Sequence, residues 1–475
     1  MRLHRHRGRL AAILLGTLLL VLAVYHWLLP IFTQPSLAAP LPQDPYIQVY
    51  FNHSQASAYT EPYRRIRRQG DDLEAILLEA IAAATTSIDV AVQEINLPLV
   101  ALALRDRHQS GVKVRVIVEN QYNRVWQPLN EFHASKIDDY QQSKHSERQR
   151  LIDANGDGKI TPKELEQRDA IRILMKGQVP LLDDTADGSK GSGLMHHKFM
   201  VVDGRTVLLG SANWTTSGIH GDFGVEVSRG NANALLKIDS SELAAVLAEE
   251  FELMWGDGPK GKEDSLFGLQ KPLRSPSVVS PPGSQITVQF SPTSETQPWS
   301  RSVNGLISET LTQATSSIDL ALFVFSDQRI SDRLAQKSQA GVTVQALIDR
   351  NFIYRSYSEA LDMLGTAIPD HRCQYEAQNR PWAQPISEVG TPNLPEGDKL
   401  HHKFALIDHH TVLIGSHNWS AAANHNNDEN LLIIRNPTVA AHFRREFDRL
   451  AQDADMGFTK DLQNRIQRQR QQCAL

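Results

Sequence analysis

Two stretches of the chain are near copies. Leu194–Thr215 reads LMHHKFMVVDGRTVLLGSANWT, and Lys399–Ser420 reads KLHHKFALIDHHTVLIGSHNWS. In each, an apolar run follows a lysine, the chain turns at Asp-Gly or Asp-His-His, and a second apolar run ends in Gly-Ser-x-Asn. Two short β-branched runs joined by turn residues predict a buried hairpin. Strand side chains alternate faces, so His196 and Lys198 share one face while His197 points to the other. The same alternation separates His401 and Lys403 from His402.

The repeat extends outward on both sides. ATTSIDVAV from Ala84 matches ATSSIDLAL from Ala314, and SGVKVRVIVE from Ser110 matches AGVTVQALID from Ala340. IQVYFN from Ile47 resembles ITVQFS from Ile286. Short strand patterns alternate with helical ones in each half, which predicts a duplicated α/β fold. A chain of 475 residues also exceeds one ordinary core and favours two domains. The expected halves are 46–260 and 285–455, with a Pro-, Gly- and Ser-rich linker at 261–284 and a polar tail at 456–475.

The repeats at Ala84 and Ala314 are farther apart than the two histidine stretches, so the first half holds an insertion between Gly111 and His196. At about 140–170 it contains DANGDGKITPKE, Asp153 to Glu164, which fits D-x-N-x-D-G-x5-E and resembles one EF-hand loop. Asp153, Asn155 and Asp157 would offer side-chain oxygens, Lys159 its carbonyl and Glu164 two oxygens to a calcium ion. Gly158 would supply the sharp turn, and Pro162 would open the exiting helix.

MRLHRHRGR carries four arginines and no acid, and an apolar run follows from Leu10 to Phe32. Residues 1–39 therefore read as a signal peptide or a signal anchor, and the rest as exported, periplasmic or extracellular. The net charge is −5 overall, and the exported part is more acidic still, which is not a nucleic-acid-binding signature by itself. Export would permit a disulfide between Cys373 and Cys473, although sequence leaves open whether they meet.

Each hairpin fits H-x-K-x4-D-x6-G-S-x-N. Lysine supplies a point charge for a phosphate oxygen, and asparagine and serine add donors. A histidine can attack phosphorus while a second protonates the leaving oxygen. These residues resemble the HKD motif of the phospholipase D superfamily, matched twice. The resemblance implies two α/β domains about a pseudo-twofold axis with both motifs in one cleft, so that a monomer is sufficient. It implies a phosphohistidine on one of His196 and His401, acid–base work by the other, and no metal in the chemical step. A calcium ion on the loop would then be structural or regulatory. The family usually carries Asn-x-Glu after the motif, present here as Asn427-Asp428-Glu429. In the first half GDFGVE offers Glu226, with Gly224 where the asparagine belongs.

The candidate catalytic set is therefore His196, Lys198, Asp203, Asn213, Glu226, His401, Lys403, Asp408, Asn418 and Glu429. Lys198, Ser211, Asn213, Lys403, Ser416 and Asn418 are expected on the phosphate. Asp203 and Asp408 rank below the histidines and lysines, because each can instead bond a neighbouring turn. Trp214 and Trp419 are expected to be packing residues. The leader, the acidic body and the calcium loop favour a phospholipid or membrane surface as partner and hydrolysis of headgroup phosphodiesters. An exported endonuclease is the alternative, and a non-catalytic binding protein a further one.

Overall fold

The computed structural model describes residues 37–128, 139–185 and 193–473. The apolar leader lies almost wholly outside them, and no helix of the described residues is long and apolar enough to cross a membrane.

The duplication is explicit in the sheets. The first has the spatial order Ile47–Phe51, Ala234–Asp239, Thr206–Gly210, Lys198–Val202, Ser87–Val92, Lys113–Val118, Leu181–Asp183. The second repeats it as Gln285–Ser291, Glu429–Arg435, Thr411–Gly415, Lys403–Ile407, Ser317–Leu322, Thr343–Ile348, Val389–Thr391. In both, neighbours run antiparallel up to the SID strand, which then pairs in parallel with the next. The second sheet has a further strand at each edge, Ser277–Val279 and Asp455–Met456. The former comes from the expected linker, which is thus partly built into the sheet.

Helices cover both faces of each sheet. The helices Ser241–Trp255 and Pro437–Ala451 share one apolar cluster with the inner faces of both sheets, including Phe199, Leu236, Phe404 and Leu432. Two further clusters fill the outer faces. The halves are therefore fused through a common core, with Phe51 of the first packed edge-on against Phe443 of the second. A disulfide joins Cys373 to Cys473 and fastens the C-terminal helix Lys460–Cys473 to the second half.

The hairpin turns explain the motif aspartates. Asp203 and Gly204 have φ of +52° and +58°, and Asp408 and His409 have +48° and +58°. Two consecutive left-handed residues are the two-residue turn that matches strand twist. Each aspartate also takes five hydrogen bonds from the turn before the SID strand. For Asp203 the donors are the backbone N–H groups of Thr85, Thr86 and Ser87 and two threonine hydroxyls. Asp408 repeats this with Thr315, Ser316 and Ser317. These bonds hold both carboxyls well below the usual range. The expectation of catalytic aspartates is corrected accordingly: both brace the hairpin at the end of the strand away from its His/Lys start.

His409 is exposed and occupies the left-handed position that glycine fills in the first hairpin. His409→Gly should raise stability by about 0.5 kcal/mol, since relief of the side-chain clash is partly offset by a more flexible unfolded chain. A denaturant midpoint that falls would contradict this.

Candidate active site

Each motif begins where the two halves exchange backbone hydrogen bonds. His196 N–H donates to Asp428 O at 3.0 Å, and Asp428 N–H to Leu194 O at 2.9 Å. In the mirrored arrangement His401 N–H donates to Ala232 O at 3.1 Å, and Ala232 N–H to Lys399 O at 2.8 Å. These short parallel bridges seat the start of each histidine strand on the other half.

The side chains cross in the same way. His196 Nδ1 lies 2.6 Å from Glu429 Oε2, a carboxylate with no exposure. His401 Nδ1 lies 2.9 Å from Asn233 Oδ1. Asn233 is the true counterpart of Glu429: each residue directly precedes the residue whose carbonyl accepts from the motif serine N–H, Ala234 for Ser211 and Asn430 for Ser416. Glu226 is instead exposed in the loop before it. The assignment of Glu226 is therefore corrected. The first-half loop is longer than local spacing suggested, and matching NALLKID to ENLLIIR, the strands that pair with the hairpins, would have found the register.

The motif serines serve these partners. Ser211 is fully buried and donates its hydroxyl to Asn233 Oδ1. Ser416, also buried, hydrogen-bonds Glu429. Neither hydroxyl is left for a phosphate, which corrects that expectation. Gly210 and Gly415 precede them because a Cβ there would overlap the carbonyl oxygens of Ala234 and Asn430. Asn233 also donates to Gly218 O and Asn231 O, so its amide is fixed with oxygen toward His401. That orientation places the His401 ring proton on Nδ1 and leaves Nε2 for the cleft.

Lys198 and Lys403 are buried and each donates to the carbonyl of its own histidine, at 2.7 and 2.8 Å. Gln93, which sequence reasoning passed over, accepts from both Lys198 and Asn213 at 3.2 Å. Its repeat counterpart is Phe323, whose ring lies 4.9 Å from Lys403 Nζ and packs on His401. The two half-sites thus differ in wall as well as in histidine partner. Asn213 and Asn418 each keep a buried carbonyl oxygen without a partner.

Burial lowers Lys198 to about 7 and holds Lys403 well below the usual lysine range. Burial, reinforced by these lysines, keeps His196 and His401 well below the usual histidine value. Glu429 is raised by burial. Glu429 acts on both lysines, Glu94 on Lys198 and Asp349 on Lys403, and an entering anion would further favour the charged form of both lysines.

His197 and His402 face away, as strand alternation predicts. His197 Nε2 meets Glu250 Oε1 and His402 Nε2 meets Glu446 Oε1, each at 2.9 Å, on the two central helices. Trp214 and Trp419 are buried.

The insertion stands between the helices Asp139–Ile152 and Pro162–Arg168. Glu147 of the first accepts from the N–H groups of Phe223 and Gly224, tying it to the loop after the first motif. The Asp153–Glu164 loop turns as expected at Gly156 and Gly158, with φ of +71° and +77°. Asp153 Oδ1 and Oδ2 accept from Gly156 and Gly158 N–H, Asn155 Oδ1 from Asp157, Asp157 Oδ1 from Lys159, and Glu164 from Ala154 and Thr161. Among the described residues no three His, Cys, Asp or Glu side chains come together as a metal-holding group. The loop backbone turns as the expectation requires, and its side-chain oxygens accept from the loop's own N–H groups.

The buried histidines set the acid limit of the fold. Burial holds His53 and His197 at about 3 and His417 at about 4, and lowers His196, His401 and His402 as well. The unfolded chain protonates these rings near 6.5, so it binds more protons than the folded chain below that pH. Their contribution is complete above about pH 6.5 and is lost as pH falls toward the folded values. Glu119 and Asp398, raised by burial to about 7 and about 6, work in the opposite sense over the same range. The six rings outnumber them, so the urea midpoint should fall between pH 7.5 and pH 5, and a rise would contradict neutral buried rings.

Comparison with known proteins agrees with this geometry. The family model described as cardiolipin synthase, PLD-like domain, matches residues 77–255 and 307–451. The mitochondrial cardiolipin hydrolase of Mus musculus is 28% identical over 160 residues, 33% of this chain and 62% of that one. The Homo sapiens protein of that name is 29% identical over 142 residues, 30% of this chain and 47% of that one. The chain thus spans about half to three-fifths of the length of these relatives. The phosphatidylserine synthase of Haemophilus influenzae shares the fold, with a TM-score of 0.52, 13% identity and 88% of both chains covered.

Proposed function

This chain belongs to the phospholipase D-like family of the cardiolipin synthase type, and from that membership we propose that it hydrolyses phospholipid headgroup phosphodiesters through a phosphohistidine intermediate. The observation that carries the proposal is the convergence of two His/Lys pairs on a cleft where each histidine is held through Nδ1, leaving Nε2 for substrate.

Lys198 and Lys403 would hold the non-bridging oxygens, with charge restored by the anion itself. The unequal partners divide the histidines. When Nε2 bonds to phosphorus, the ring becomes cationic and stays so for the life of the intermediate. Glu429 supplies the countercharge to His196, which makes His196 the nucleophile. His401 faces a neutral amide and is the weaker base, hence the readier proton donor. The entering phosphodiester anion favours the imidazolium form of His401, which takes a solvent proton on Nε2; His196 Nε2 then attacks phosphorus, the bond to the leaving alcohol breaks, and His401 gives that oxygen the Nε2 proton and returns to the neutral ring. His401 then takes a proton from water, whose oxygen displaces His196 and yields a phosphate monoester.

The Cys373–Cys473 disulfide supports the oxidising location that export would supply. Phe323 and Phe352, in edge contact at 4.6 Å beside His401, give one wall of the cleft an apolar surface suited to a lipid glycerol.

His196→Ala should abolish phosphoenzyme and turnover. His401→Ala should accumulate phosphoenzyme from an activated ester such as a p-nitrophenyl phosphodiester, which needs no acid for departure. Glu429→Gln should lower kcat at least about tenfold, whereas Glu226→Gln leaves it within about twofold. Phosphoenzyme formed in His196→Ala would overturn the assignment. Cardiolipin and phosphatidylcholine vesicles should be cleaved and single-stranded DNA left intact; the reverse would make this an exported nuclease.

A structural calcium ion on Asp153, Asn155, Asp157, the Lys159 carbonyl and Glu164 is a second part of the proposal, resting on ligand spacing and the loop's turn. Calcium should raise the melting temperature, and Asp153→Ala should remove that rise. An unchanged melting curve would sink it.

A further inference from the structure

A polar cavity of about 170 Å³ lies at the seam of the two halves, and none of the motif residues lines it. Its wall includes His53, Gln55, Gln69 and Arg229 from the first half and Arg449 and Asp453 from the second. That volume corresponds to about five waters, enough for a phosphate group.

The charges in the wall are poorly matched. Arg229 donates Nη2 to the Gln69 carbonyl at 2.8 Å, and no carboxylate of the described residues forms an ion pair with its guanidinium. Asp398 accepts from the backbone N–H of Arg229 and attracts its charge without forming an ion pair with the guanidinium. Arg449 is forked onto Glu446 through Nε and Nη2, and Glu446 also serves His402. Asp453 is exposed at the rim, where water screens it. Burial and the nearby Arg449 both weigh against the charge on Arg229.

A second observation is independent of the arginines. His53 is 1% exposed, its Nε2 lies 2.6 Å from the Gly230 carbonyl, and its Nδ1 has no partner. The proton is therefore on Nε2, and Nδ1 is a buried acceptor without a donor. A guanidinium without an ion pair, facing a second one across a polar cavity, calls for a ligand that brings negative charge.

We propose that this cavity is a second anion site, distinct from the catalytic cleft, that binds hydrogen phosphate or a small phosphate monoester between Arg229 and Arg449. The site is built from both halves, so it exists only in the assembled chain. Its wall also continues into the active site: the carbonyl that His53 holds belongs to Gly230, in the segment leading to Asn233.

The test is calorimetric titration of the full-length protein with inorganic phosphate and, separately, with glycerol 3-phosphate. The wild type should bind two equivalents of at least one of them per chain, one in the cleft and one here. Arg229→Gln should remove one equivalent and leave the other. Gln55→Glu, which adds a negative charge to the wall and keeps both arginines, should weaken the same equivalent at least tenfold without depending on how Arg229→Gln folds. Binding of both ligands by both wall variants as in the wild type, or no binding to the wild type, would overturn the proposal; a single wild-type equivalent that both wall variants lose would support it. Loss of turnover in the histidine variants bears on the cleft alone, so the two readings fail separately.

Discussion

The contact between His196 and Glu429 spans the two halves of the chain, and most of the architecture follows from it. A buried carboxylate is costly unless it is hydrogen-bonded, and Glu429 is bonded by the His196 ring, by Ser416 and by Asn427. Those partners come from different segments. They meet only if both sheets dock on the helices Ser241–Trp255 and Pro437–Ala451 in one register, which the shared apolar cluster enforces. The backbone bridges at His196 and His401 complete the lock. Neither half contains a whole histidine site.

The repeated hairpin made the α/β duplication legible, because strand alternation and turn chemistry are local. The same local rules separated His196 and His401 from His197 and His402, which the sheets place on opposite faces. What escaped was information carried by long loops and by tertiary pairing. Glu226 sits near the motif in sequence, whereas the residue opposite His401 is fixed by which strand pairs with Thr206–Gly210. Gln93 and Phe323 occupy one repeat position with opposite chemistry, and their relevance appears only when strands from distant segments pair side by side. The linker looked unstructured because Pro and Gly dominate it. Yet Lys271 within it bridges Glu250 and Asp428 at the seam, a contact visible only in the folded chain.

The motif itself separates into two jobs. Histidine and lysine line the cleft, while aspartate, glycine and serine hold the hairpin and the partner residue in place. Asp203 and Asp408 meet the repeated Thr/Ser turns, which explains why the ATTSID and ATSSID segments resemble each other as closely as the histidine stretches do. A sequence match to the whole motif therefore reports a scaffold as much as a reaction.

The crossing of partners has a historical consequence. In a dimer of identical half-length chains, any substitution opposite one histidine appears opposite the other, so both would carry glutamate or both asparagine. Once the two copies became a single polypeptide, each half-site was free to drift alone. Asn233 facing His401 while Glu429 faces His196 is a difference that a dimer of identical chains cannot hold. The asymmetry therefore requires two halves that are encoded separately, which a single chain carrying both copies provides.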